Sequence, residues 1–83
     1  MLCGMEKKSF RRLLNQLGEE IKVLRLQAGL SQEALALAAD VDRTYVSQLE
    51  RGVANPSLKI LHRISIALGT EMLITFLGSS SSK

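Results

Sequence analysis

SQEALALAADVDRTYVSQLERG, spanning Ser31 to Gly52, carries the signals of two short helices joined by a tight turn. Ser31 is suited to an N-cap, because its hydroxyl can accept from a free amide one turn on. Ala34 to Ala39 is rich in strong helix formers and holds nothing that stops a helix. Asp40 falls where the chain must turn, and Asp tolerates left-handed backbone better than most residues. Asp42 offers a second N-cap opening Arg43 to Arg51, and Gly52 is placed to end that helix in a left-handed cap.

The second of these helices has two faces. Val46 and Leu49 are three apart and point toward a core that Leu35, Ala36 and Val41 also line. Arg43, Thr44, Ser47, Gln48 and Arg51 recur at spacings of three and four, so they share the opposite face. That face offers guanidinium, hydroxyl and amide groups and no carboxylate. Such groups match base edges in a major groove: Arg for guanine, Gln for adenine, Thr or Ser for either. A solvated polar face is the plain alternative, and the bounded helix–turn–helix weighs against it.

These residues resemble the helix-turn-helix of the Xre group, which includes phage repressors and Cro-type proteins. Ala36 matches the small residue where the two helices touch, and Val46 and Leu49 match the buried positions of the second helix. The family usually places Gly at the turn, where this chain has Asp40. The run Asp42 to Ser47, followed by Leu49-Glu50-Arg51-Gly52, is especially close to the controller proteins of restriction–modification systems, and occurs in other small regulators too. The resemblance implies an all-α fold, a compact five-helix bundle of the lambda-repressor-like DNA-binding type. It also implies a structural ion pair between Arg25 and Glu50, and a phosphate-binding role for Gln32 at the start of the second helix. Tyr45 is either a core-edge residue or, as in the controller proteins, one that lies against DNA.

Charge qualifies this reading. The chain carries 11 basic and 8 acidic side chains, a net +3. Residues 1–30 hold six basic and three acidic groups, whereas residues 31–52 hold two basic and four acidic, a net −2. The reading unit is therefore no basic patch in itself, and phosphate attraction has to come from its flanks and from helix N-termini. Lys7, Lys8, Arg11 and Arg12 cluster on one such flank, either as a solubilising end or as an arm touching the DNA backbone. On the other flank, Val53 to Pro56 is a loop, and Ser57 caps a further helix through Leu68. In the family the matching loop holds phosphate, which makes Asn55, Ser57 and Lys59 candidates beside Arg51; Ser57 has the cap as its other role.

Upstream, Ser9 can cap a helix reaching about Ala28, with Phe10, Leu13, Leu14, Leu17, Ile21, Leu24 and Ala28 as its apolar stripe. Gly18 weakens that helix by up to ~1 kcal/mol relative to Ala, enough to allow a break there. Leu58, Leu61, Ile64 and Leu68 form the expected stripe of the fourth helix, with Ile60 and Ile66 off it. Gly69 then breaks the chain, and Thr70 is expected to cap a fifth helix from Glu71 to about Leu77. Met72, Leu73, Ile74, Phe76 and Leu77 cover more than one face of it, which suggests a two-fold dimer interface of the kind the family builds there. Closure of a monomer's core is the alternative. The expected organisation is a flexible arm over 1–8, a helix-turn-helix domain over 9–78 and a disordered tail over 79–83.

Other function classes find little support. There is no paired-carboxylate, nucleophile–base or phosphate-cradling arrangement to suggest an enzyme, and no metal site or cofactor is implied. Cys3, the single cysteine, cannot form an intramolecular disulfide, and His62 lacks a partner for catalysis. No run approaches the ~20 apolar residues of a membrane span, so a cytoplasmic location without membrane contact is expected. The leading expectation is a transcriptional regulator that binds double-stranded operator DNA as a homodimer. Arg43, Thr44, Ser47 and Gln48 would read bases, and Gln32, Tyr45, Arg51, Asn55, Ser57 and Lys59 would hold phosphates. The alternative is an antitoxin-like interaction module whose apolar last helix takes a protein partner such as a toxin; RNA polymerase is a further protein partner to consider.

Overall fold

The computed structural model describes residues 3–76, and their side chains from Ser9 onward. Among the described residues four helices account for the regular structure: α1 (Cys3–Gln27), α2 (Gln32–Ala39), α3 (Arg43–Glu50) and α4 (Leu58–Ala67). Among the described residues there is no strand. The local signals of the middle stretch are realised closely. Ser31 accepts from the Ala34 amide at 3.0 Å, and Ser57 accepts from the Ile60 amide at 3.2 Å. Asp40 adopts the left-handed conformation, with φ 60°, and its amide turns back to the carbonyls of Ala36 and Leu37. Asp42 occupies the N-cap position of α3 without a side-chain hydrogen bond.

The core is small and aliphatic. Leu35, Ala36 and Ala39 from α2 meet Val46 and Leu49 from α3, Ile64 and Leu68 from the α4 end, Ile21 from α1, and Ala54 from the loop. Helix α3 packs against both α1 and α2, and α2 packs against α4. Ile60 and Leu61 are half-buried against this core whereas Leu58 is exposed, so the buried edge of α4 is Ile60, Leu61, Ile64 and Leu68 rather than a stripe beginning at Leu58.

Three expectations are corrected. The helix expected from Ser9 begins at Cys3, so part of the stretch assigned to an arm is helical. Gly18 does not break α1. It is buried, and a Cβ there would lie 2.5 Å from the Leu49 carbonyl oxygen and 2.6 Å from that of Glu50. Glycine at 18 lets two helix backbones approach where any side chain would hold them apart. The third correction is the fifth helix: residues 70–76 contain none. Thr70, expected to start it, instead closes α4, its amide and its hydroxyl donating to the Ser65 carbonyl at 2.9 and 3.3 Å. The six described residues that follow are too few to sustain a helix without packing partners. Leu77 and residues 79–83 lie outside the described residues.

Candidate nucleic-acid interface

Helix α3 is eight residues long, and its two faces differ sharply. Val46 and Leu49 are 0% and 1% exposed, while Arg43, Thr44, Gln48 and Arg51 are open to solvent. Ser47 is half-buried at the margin of the open face. Tyr45 leans the other way, half-buried against the core, and burial pushes its phenol above the ordinary value of 10.0.

Glu50 explains why that open face carries no carboxylate. Its side chain is turned inward, 3% exposed, and meets Arg25 of α1 in a two-point contact. Arg25 Nε donates to Glu50 Oε2 at 2.5 Å and its Nη2 to Oε1 at 3.1 Å. A further Arg25 nitrogen donates to the Leu30 carbonyl at 2.9 Å, which ties the α1–α2 connection to the end of α3. Gln32 joins the cluster, donating from Nε2 to Glu50 Oε1 at 3.0 Å. Bidentate geometry with the remaining groups hydrogen-bonded is what allows such charges to be buried. One amide hydrogen of Gln32 remains beyond this bond, at the edge of the first turn of α2.

Arg63 is a residue the sequence reading missed. From α4 it donates to the carbonyls of Ala39 and Asp40 at 3.1 and 2.5 Å, and it stands 3.8 Å from the Asp40 carboxylate. It therefore holds the turn between α2 and α3 and partly offsets the carboxylate that replaces the usual glycine. Nothing in the local sequence marks it, since its partners lie more than 20 positions away.

Beyond α3, the chain turns through Gly52 (φ 77°) and the loop returns over the helix end, Val53 and Ala54 donating to the Gln48 carbonyl at 3.0 and 3.3 Å. Asn55, Ser57 and Lys59 follow on the exposed side, with Ser57 also capping α4. The open face of α3, the start of α2 and this loop thus adjoin one another through the buried cluster and the loop's own hydrogen bonds.

A helix-turn-helix family model matches residues 21–74, from the last two turns of α1 through all of α2, α3 and α4. The chain belongs to the helix-turn-helix family. Over 55 residues it is 44% identical to the control protein C.BamHI of Bacillus amyloliquefaciens, covering 65% of this chain and 68% of the relative. Among solved structures it is similar to the restriction-modification controller protein C.AhdI of Aeromonas hydrophila. That match has a TM-score of 0.69 and 41% identity over 70% of this chain and 88% of the other. It is likewise similar to the controller protein C.Esp1396I, solved as a tetramer with its natural 35 base-pair operator. There the TM-score is 0.68 and the identity 39%, over 71% of this chain and 78% of the other. These likenesses agree with the resemblance carried by Asp42 to Gly52.

The apolar residues expected to form a dimer interface are placed differently from the expectation. Leu73 and Phe76 are 86% and 93% exposed, Ile74 is exposed and Met72 is half-buried, all in a segment without regular secondary structure. Residues 70–75 border a groove of about 610 Å³ whose floor includes Leu13, Leu17 and Leu24 of α1 and Leu61 and Leu68 at the α4 end. The helix-turn-helix domain thus has a polar reading face at α3 and an open apolar groove between α1 and α4. Among the described residues there is no helix long and apolar enough to cross a membrane, and no group of His, Cys, Asp and Glu that could hold a metal.

Proposed function

We propose that this helix-turn-helix protein is a sequence-specific transcriptional regulator that binds operator DNA as a homodimer, with α3 in the major groove. The observation that carries the reading is the division of α3. Its apolar side is sealed into the core, and its one carboxylate is drawn inward to Arg25, leaving Arg43, Thr44, Ser47 and Gln48 to meet base edges. Removing Glu50 from the open face also lessens the acidic excess of residues 31–52. Gln32 at the start of α2, together with Arg51, Asn55, Ser57 and Lys59, holds the phosphates on either side. Tyr45, half-buried, serves at the border of core and backbone. Similarity to controller proteins, one of them solved with an operator as a tetramer, supports both the DNA partner and self-association.

Two subunits would read half-sites about one helical turn, ~34 Å, apart. Met72, Leu73, Ile74, Phe76 and Leu77 are the candidates for the contact between subunits, since Leu73, Ile74 and Phe76 are left uncovered in one copy. Selection from a pool of random duplexes at moderate salt tests the proposal, and recovery of a two-fold symmetric site is expected. Arg43→Ala should then cost ~1–3 kcal/mol at one base pair and relax choice there. Equal loss on every sequence would assign Arg43 to phosphate instead. The same uncovered residues support a second reading, a module for a heterologous protein partner. Light scattering separates the two, because a stable dimer of the purified chain favours self-association.

A further inference from the structure

We infer that Arg11 and Arg12, on the N-terminal half of α1, bind DNA phosphates beside the 52–57 loop and form a contact limb outside the helix-turn-helix unit. The inference rests on the reading of α3 and its following loop as the DNA-facing surface. It concerns a part of the chain that the family model does not reach, since the match begins at Ile21 while α1 begins at Cys3.

The position of this limb follows from two close approaches. Gly18 sits against the Leu49 and Glu50 carbonyls, which sets α1 directly across the C-terminal end of α3. One turn earlier, Asn15 lies against Gly52, where an added Cβ would fall 3.2 Å from the Asn15 Cα and overlap its side-chain amide. Asn15 thus marks the side of α1 that faces the loop. Arg11 precedes it by four residues and Arg12 by three, so both share that side of the helix, one turn or about 6 Å beyond it. Both side chains are exposed. Leu13 and Leu17 point away from them into the apolar groove. Residues 11–17 of α1 are therefore amphipathic, with Arg11 and Arg12 on the side that faces the loop and Leu13 and Leu17 on the side of the groove.

Charge gives the limb its purpose. Residues 31–52 carry a net −2, and the two arginines contributed by neighbouring helices are already engaged, Arg25 with Glu50 and Arg63 with the carbonyls of the turn. Neither Arg11 nor Arg12 forms an ion pair with any described carboxylate. One helical turn beyond Asn15, these guanidinium groups add positive charge on the side of α1 that faces Gly52, past the end of α3. Arginine is suited to this role because its planar fork pairs with phosphate at two points.

The test uses the full chain, a duplex enriched from the random pool and an unrelated duplex of equal length. Binding is measured across a salt series for the parent, for Arg11→Gln/Arg12→Gln and for Arg11→Lys/Arg12→Lys. Each phosphate contact removed should lower the slope of log K against log salt by about 0.9, hence by about 2 per subunit for the glutamine pair. The loss should be alike on both duplexes, base preference and melting temperature should stay as in the parent, and the lysine pair should restore most of the slope. Ethylation interference should also show, in each half-site, phosphates whose modification weakens the parent and no longer weakens the glutamine pair. An unchanged slope with an identical interference pattern would overturn the limb while leaving the reading of α3 intact. A parent chain that enriches no site and ignores Arg43→Ala would overturn both.

Discussion

Helix α3 and the segment from Thr70 to Phe76 are both short and both read from sequence as capped helices, yet only α3 is one. Its eight residues are held from several directions: Val46 and Leu49 fill the core, Glu50 is clamped by Arg25, and the following loop donates two amides to the Gln48 carbonyl. The C-terminal segment has none of this. Its intended cap, Thr70, is bonded back to Ser65, and its apolar side chains meet an open groove rather than a facing helix. A helix this short gains too little from its own hydrogen bonds to offset the cost of nucleation, so packing partners decide whether it forms. In a single copy α3 has those partners and residues 70–76 do not.

The sharpest way to break this contrast is to remove the clamp. Arg25→Met or Glu50→Leu alone should destabilise the fold by about 3–5 kcal/mol, because each leaves a buried charge without its partner. Urea unfolding followed by circular dichroism measures it, and the two changes together should recover much of the loss. Additive losses in the double variant would show that the two charges do not act as a pair. A smaller effect is expected at the crossing of α1 and α3. Gly18→Ala raises helix propensity, yet it should destabilise by about 1–3 kcal/mol, since the new methyl group meets the Leu49 and Glu50 carbonyls. A more stable alanine variant would mean that α1 shifts away freely. The smallest change belongs to the other region: Leu73→Ser/Phe76→Ser should alter the unfolding free energy of the dilute monomer by less than ~0.5 kcal/mol. The same variant should lower self-association in sedimentation. Substantial destabilisation of the monomer would place these side chains in its own core.

The contrast also accounts for what could be read without coordinates. Ser31, Asp40, Gly52 and Ser57 announce helix ends because each acts on backbone groups within a few positions of itself. Val46 and Leu49 announce the buried face of α3 through the period of the helix alone. Thr70 misleads by the same logic, because a threonine between two helix-like segments can serve either one. Leu58 and Ile60 are equally apolar, and only the packing of α4 on α2 selects Ile60. Arg25 and Glu50 are paired on the strength of family resemblance rather than of any local signal, and Arg63 carries no signal at all. Leu73, Ile74 and Phe76 are more apolar surface than this core covers, and they lie in a segment without regular secondary structure rather than on a helix.

The sequence by itself determined the helix-turn-helix, its turn at Asp40 and the polar face of α3, because caps and helical period are interactions of near neighbours. Tertiary structure decided the rest. It turned Glu50 inward, closed Gly18 against α3, gave Arg63 to the turn and left residues 70–76 without a helix. Each of these depends on groups brought together from distant parts of the chain, or on a partner surface being there at all. Pattern along the chain states which side chains can pair or pack, and only the folded geometry states with what.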